Sequence, residues 1–69
     1  MTEFISVDIV DDIATITLDR PERRNALTLT MLRYLMAATG TVAASETRVV
    51  ILRGAGEGFT AGMDLATFA

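Results

Sequence analysis

The chain contains no cysteine, no histidine and no lysine, and each absence removes a class of chemistry. Without cysteine there is no thiol nucleophile, no disulfide and no zinc site built on sulfur. Without histidine there is no Ser-His-Asp relay and no imidazole base or ligand. All six positive charges are arginines, which excludes a Schiff-base lysine and the lysine of a phosphate-binding loop. Chemistry is left to carboxylates, hydroxyls and backbone amides. Long hydrophobic runs are missing too: none approaches the roughly 20 residues of a membrane span, and no secretory signal pattern is present. The expectation is a soluble, cytoplasmic protein. Nine acidic residues against six arginines give a net charge of -3 and a pI near 4.6, the wrong sign for a general nucleic-acid binder.

What is present is a core-forming composition on a short chain. Of the 69 residues, 51% are hydrophobic and 22% charged, which argues against disorder. Ordinary domains cluster near roughly 100–150 residues, so there is room for part of one domain over 1–69 and none for a second. A chain this short buries only about 60% of its unfolded surface and commonly leans on metals, disulfides or partners.

The hydrophobic pattern divides the chain into elements. Over residues 4–10, Ile5, Val7 and Ile9 alternate with Ser6 and Asp8, the period-2 signature of a half-buried strand. Residues 13–18 repeat it, with Ala14, Ile16 and Leu18 opposite Thr15 and Thr17. Asp11 and Asp12 between them suit a tight reversal, although the pair lacks the glycine usual in such turns. A β-hairpin is the expected result. Pro21 then forces a polar loop over 19–25. Thr28 suits a helix N-cap, and Leu32, Leu35, Met36, Thr39, Val42 and Ala43 recur at helical spacing through about residue 44, despite Gly40. Val49 to Leu52, bracketed by Arg48 and Arg53, lacks alternation and predicts a strand covered on both faces, by layers these residues do not contain. Met63 to Ala69 begins like a second helix with no C-cap, so the pattern predicts a chain that continues.

Between them lies Gly54-Ala55-Gly56-Glu57-Gly58-Phe59-Thr60-Ala61-Gly62. Three readings of this loop stay open. It is a solvated connection; or a dinucleotide fingerprint, whose third glycine falls on Phe59 instead; or a place where Gly62 admits a substrate to the backbone and the Met63 amide, at a helix start, points at a carbonyl oxygen.

Taken together, Ile16-Thr17-Leu18-Asp19-Arg20-Pro21, Asn25-Ala26-Leu27, the helix, Arg48 to Gly54, and Gly58-Phe59-Thr60-Ala61-Gly62-Met63-Asp64-Leu65 resemble the opening of the enoyl-CoA hydratase/isomerase (crotonase) family. The order and separations of these motifs, more than any one of them, make the likeness specific. The resemblance implies an α/β fold, a spiral of repeated ββα turns of which residues 1–69 supply roughly the first. It also implies an acyl-CoA thioester substrate, with coenzyme A entering as part of that substrate and no bound cofactor or metal. Hydration of a 2-enoyl-CoA, as in fatty acid metabolism, leads, followed by double-bond isomerisation; hydrolysis, decarboxylation and dehalogenation share the same oxyanion hole.

For particular residues the resemblance implies that the backbone N–H of Met63 is one of two oxyanion donors. One oriented amide is typically worth about 3–4 kcal/mol against the charge that builds on the thioester oxygen. Ala61 and Gly62 would line the thioester and pantetheine passage, continued by Asp64 and Leu65. Backbone around Arg24 and Ala26 would face the cofactor from the other side, with Asn25 holding the loop. Arg23 and Arg24 could meet CoA phosphates, but Glu22 stands where relatives often carry a basic residue. Read without the family, Met63 is a core side chain and Asp64 an acid favoured at a helix N-terminus. The second oxyanion amide and the catalytic carboxylates are expected on later segments, and none of Asp8, Asp11, Asp12, Asp19, Glu22, Glu46 and Glu57 is paired for acid–base work. The expected partners are the acyl-CoA, the remainder of the domain and further copies in a trimer or hexamer, with neither nucleic acid nor membrane. Two other classes stand beside the enzyme: a non-enzymatic interaction fragment and a nucleotide-binding module.

Overall fold

The computed structural model describes residues 3–68, with the side chains of Thr67 and Phe68 outside the description. Strand β1 spans Ile5–Val10 and pairs antiparallel with β2, Ile13–Leu18, in the register Ile5 to Leu18 and Val10 to Ile13. The hairpin is thus formed where the alternation placed it. Asp11 supplies the left-handed turn residue, at φ 55°, that glycine would ordinarily provide. Ala14, Ile16 and Leu18 are buried and Thr15 and Thr17 half-buried, so the two faces of β2 separate as expected. A short 3-10 turn, Pro21–Arg23, follows, with proline at its start where a missing N–H costs nothing.

Helix α1 runs Leu29–Ala43 and is capped by Thr28, whose hydroxyl accepts the Met31 amide at 3.0 Å. Its buried face differs from the expected stripe. Met31, Ala38 and Val42 are buried, Leu35 is partly so, and Met36 is 73% exposed. Apolar residues surround this helix on nearly every side, so spacing alone leaves its rotation open by a fraction of a turn. Packing against Ile5, Ile16 and Leu18 settles it.

Strand β3, Val49–Gly54, adds parallel to β2 and completes a three-stranded sheet ordered β1-β2-β3. Within the described residues it is an edge strand open on both faces: Val49, Val50, Ile51 and Leu52 are each about half exposed. The expectation of a covered strand is therefore not met by these residues alone. The expected second helix is replaced by a 3-10 turn, Leu65–Phe68, because Met63 stands in an isolated parallel bridge with Leu27 and keeps the preceding chain extended. Leu65 is 78% exposed, and the Phe68 side chain and Ala69 fall outside the described residues.

The rotation of α1 has a measurable consequence. Replacing fully buried Met31 by alanine is expected to cost about 2–5 kcal/mol. Met36→Ala, on the open side, is expected to stay within about 0.5 kcal/mol in urea unfolding of the same chain.

Candidate functional site

The site is built from two stretches, Arg24 to Leu27 and Thr60 to Asp64, lying side by side. Ala61 N–H donates to Arg24 C=O at 2.9 Å, Leu27 N–H to Gly62 C=O at 2.8 Å, and Asp64 N–H to Leu27 C=O at 2.8 Å. Thr60 reinforces the ladder: its hydroxyl donates to Asn25 C=O at 2.6 Å and accepts the Gly62 amide at 3.1 Å. Successive backbone groups of an extended chain point to opposite sides. Gly62 C=O and Asp64 N–H face Leu27, so the Met63 N–H is turned away from it and has no acceptor among the described residues. Gly62 holds φ at +93°, a value few side-chain-bearing residues adopt, which accounts for glycine immediately before that amide.

Asn25 sits at the centre of the arrangement, 1% exposed and itself in the left-handed region at φ 56°. Its Oδ1 accepts the Arg20 amide at 2.8 Å, and its Nδ2 donates to Ala55 C=O and Phe59 C=O, both at 2.8 Å. The side chain thereby ties the loop after Pro21 to the glycine-rich loop after β3. Gly54 is obligatory beneath it. A Cβ there would run into Phe59 C=O and stand 2.7 Å from Asn25 Nδ2.

Arg20 and Asp64 join 44 residues apart in sequence, Arg20 NH1 to Asp64 Oδ2 at 3.0 Å, and the same nitrogen donates to Ala26 C=O at 2.9 Å. The Phe4 ring lies 5.6 Å from the guanidinium carbon. Asp64 Oδ1 accepts the Ala66 amide at 3.2 Å, and Arg23 approaches the carboxylate at 3.8 Å. The hydrogen bond from Arg20 holds the Asp64 carboxyl below the usual carboxylate value; burial opposes it, and the Ala66 amide and the Arg20 and Arg23 charges add to the lowering. The Asp64 carboxylate is thus engaged inside the fold and is not a free acid.

Beside the ladder opens a cleft of about 590 Å³, walled by Pro21, Glu22, Arg24 and Asn25, floored by Ala55 to Gly58 and closed by Thr60 and Ala61. Of the residues expected from sequence, Arg24 and Ala61 line it side by side, joined by their backbone hydrogen bond. Ala26, Gly62, Met63 and Asp64 continue the ladder past its end, and Leu65 projects outward. The Met63 amide therefore owes its orientation to the bridge with Leu27 and not to a helix start. Arg20 was not among the candidate residues: nothing in spacing or periodicity connects it to Asp64. No group of three or more potential metal ligands occurs among the described residues, and no helix among them is long and apolar enough to cross a membrane.

The enoyl-CoA hydratase/isomerase family model matches residues 8–69. EchA13 of Mycobacterium tuberculosis, named as an enoyl-CoA hydratase, is 53% identical over 68 residues, covering 94% of this chain and 21% of that protein. The hydroxycinnamoyl-CoA hydratase-lyase of Pseudomonas fluorescens is 42% identical over 65 residues, covering 93% of this chain and 24% of its own length. The crystal structure of an enoyl-CoA hydratase/carnithine racemase from Magnetospirillum magneticum superposes with a TM-score of 0.91 at 44% identity, over 99% of this chain and 26% of that one. The chain belongs to the enoyl-CoA hydratase/isomerase family, and its hairpin, helix and third strand form a ββα turn of the crotonase fold. It spans about a quarter of the length of the relatives it matches.

Asn25→Ala is expected to destabilise the chain by about 3 kcal/mol or more, since it orphans the Arg20 amide and two carbonyls at once. Gly54→Ala is expected to cost about 1–3 kcal/mol by overpacking; denaturant melts check both. For Asp64 the sign follows from its lowered pKa. Its ion pair contributes fully above the ordinary value of 3.8, and the contribution is lost as pH falls through the depressed native value. Carbon NMR of the Asp64 carboxyl should give a midpoint below 3.8, and Asp64→Asn should flatten that part of the acid-stability profile.

Proposed function

We propose that these residues supply one half of the oxyanion hole of an enzyme acting on acyl-CoA thioesters, with hydration of a 2-enoyl-CoA as the reaction. The observation that supports this reading is the Met63 N–H: turned away from Leu27 by the bridge, flanked by Gly62 and free of any acceptor among the described residues. Adding water to the conjugated double bond puts negative charge on the thioester oxygen, and a fixed amide stabilises that charge without having to reorganise. Isomerisation passes through the same enolate and uses the same donor.

The cleft gives the substrate a path. Ala55, Gly56, Gly58 and Ala61 offer a wall of small residues along which a pantetheine arm can lie against backbone. Its charges are one arginine, Arg24, against Glu22 and Glu57, a poor balance for a polyanion. The cations that meet the CoA phosphates are accordingly assigned to other segments, as are the second oxyanion amide and the catalytic carboxylates. The same remainder of the domain covers the open faces of β3. Assembly as a trimer or hexamer and a cytoplasmic setting belong to the same proposal and rest on the family likeness alone.

Crotonyl-CoA added to the 69-residue chain is expected to shift the Met63, Arg24 and Ala61 amide resonances without being hydrated. In an enzyme carrying this segment, Met63→Pro removes the donor and is expected to lower kcat by about 10²–10³-fold, whereas Met63→Leu keeps it and stays within a few-fold. Equal losses in both variants, or hydration by the isolated chain, would contradict the proposal.

A further inference from the structure

The bridge between Leu27 and Met63 is a single pair with no strand on either side of it to hold its register. An isolated bridge of this kind frays readily, because each of its few hydrogen bonds is worth only about 1 kcal/mol net. Yet the direction of the Met63 amide depends on it.

One side chain spans the bridge. Arg20 NH1 binds Ala26 C=O, one residue before Leu27, and Asp64 Oδ2, one residue after Met63. A single nitrogen thus holds both strands of the pair, each at a position adjacent to the bridge. Arg20 is itself held at its own amide by Asn25 Oδ1, lies beside the Phe4 ring, and has a side chain only 15% exposed. Opposite charges strengthen the contact with Asp64, and the arginine's charge strengthens the one with the Ala26 carbonyl. Asp64 in turn accepts the Ala66 amide, so the chain after Met63 is secured as well.

We infer that Arg20 is a positioning residue that clamps the Leu27–Met63 bridge through Ala26 and Asp64, and thereby aims the Met63 amide at the substrate oxygen. The clamp stands on its own geometry, while its catalytic meaning rests on the oxyanion reading above. Arg20 touches no reacting atom and acts through Asp64 and the bridge.

The test is amide hydrogen exchange by NMR on the 69-residue chain, comparing wild type with Arg20→Gln and Asp64→Ala. In both variants the amides of Leu27 and of position 64 are expected to exchange at least about tenfold faster, with β1–β2 hairpin amides changed by less than about twofold. Exchange at Leu27 and position 64 that is unchanged, or that speeds up only in step with the hairpin, overturns the clamp. Should Arg20→Gln unfold the whole chain, Asp64→Ala decides, because it removes one contact and leaves Arg20 on Ala26. A second readout separates aim from mere stability. Acetoacetyl-CoA is expected to shift the Met63 amide proton in wild type, to shift it much less in Arg20→Gln and Asp64→Ala, and to do so again in Asp64→Glu, where a carboxylate is restored. An undiminished shift in the two disabling variants sinks the positioning role. Absence of a shift in wild type alongside local loss of protection in the variants sinks the oxyanion reading and leaves the clamp standing.

Discussion

Asn25 places a primary amide where water cannot reach it and commits that amide to backbone partners on two separate loops. An unpartnered buried polar group costs about 1–3 kcal/mol, so this one side chain makes the arrangement of both loops close to all-or-none. The requirement extends outward. Gly54 has no side chain because Asn25 and two loop carbonyls occupy the space a Cβ would take, and Thr60 closes onto Asn25 C=O. Arg24 and Asn25 both adopt left-handed backbone, at φ 54° and 56°, a local cost that the surrounding hydrogen bonds offset.

From this junction the two stretches run on together to Leu27 and Met63. A donor made of backbone has no rotamer with which to find its target; only the path of the chain sets its direction. Fixing that direction therefore asks for rigidity in the surrounding residues. Asn25, Gly54, Thr60, Arg20 and Asp64 all answer that need. The side chains of Asn25, Thr60, Arg20 and Asp64 bond back into the fold, while Ala55, Gly56, Gly58 and Ala61 give the open cleft its small-residue wall.

Local chemistry made part of this legible in the sequence. Alternation in Ile5 to Ile9 and Ala14 to Leu18 marked the hairpin, because the face carrying Ile5, Val7, Ala14, Ile16 and Leu18 joins the core, although Ile9 at its end is exposed. Thr28 marked the start of α1 through a bond made within three residues. The helix rotation was not legible, since Met31, Leu32, Leu35, Met36 and Ala38 are all apolar and only packing chooses among them. Nor was the form of the last segment: Met63 to Phe68 has helical composition, but pairing with Leu27 overrides it. The run Val49 to Leu52 reads as a strand with two covered faces and is half exposed here, in a chain that spans about a quarter of its relatives. Asn25 holds the loop, as motif likeness implied, through its bonds to Arg20, Ala55 and Phe59, whereas the Met63 amide lies in a bridge with Leu27 and not at the expected helix start. The pairing of Arg20 with Asp64 is a long-range contact that spacing does not encode.

The most direct test of the central claim is a structure of an enzyme containing this segment with an acyl-CoA thioester bound. The thioester oxygen is expected about 2.7–3.1 Å from the Met63 nitrogen, with the Leu27 bridge intact and the pantetheine arm passing Ala61. A thioester oxygen seated on other donors, with the Met63 N–H facing only water, would contradict the account.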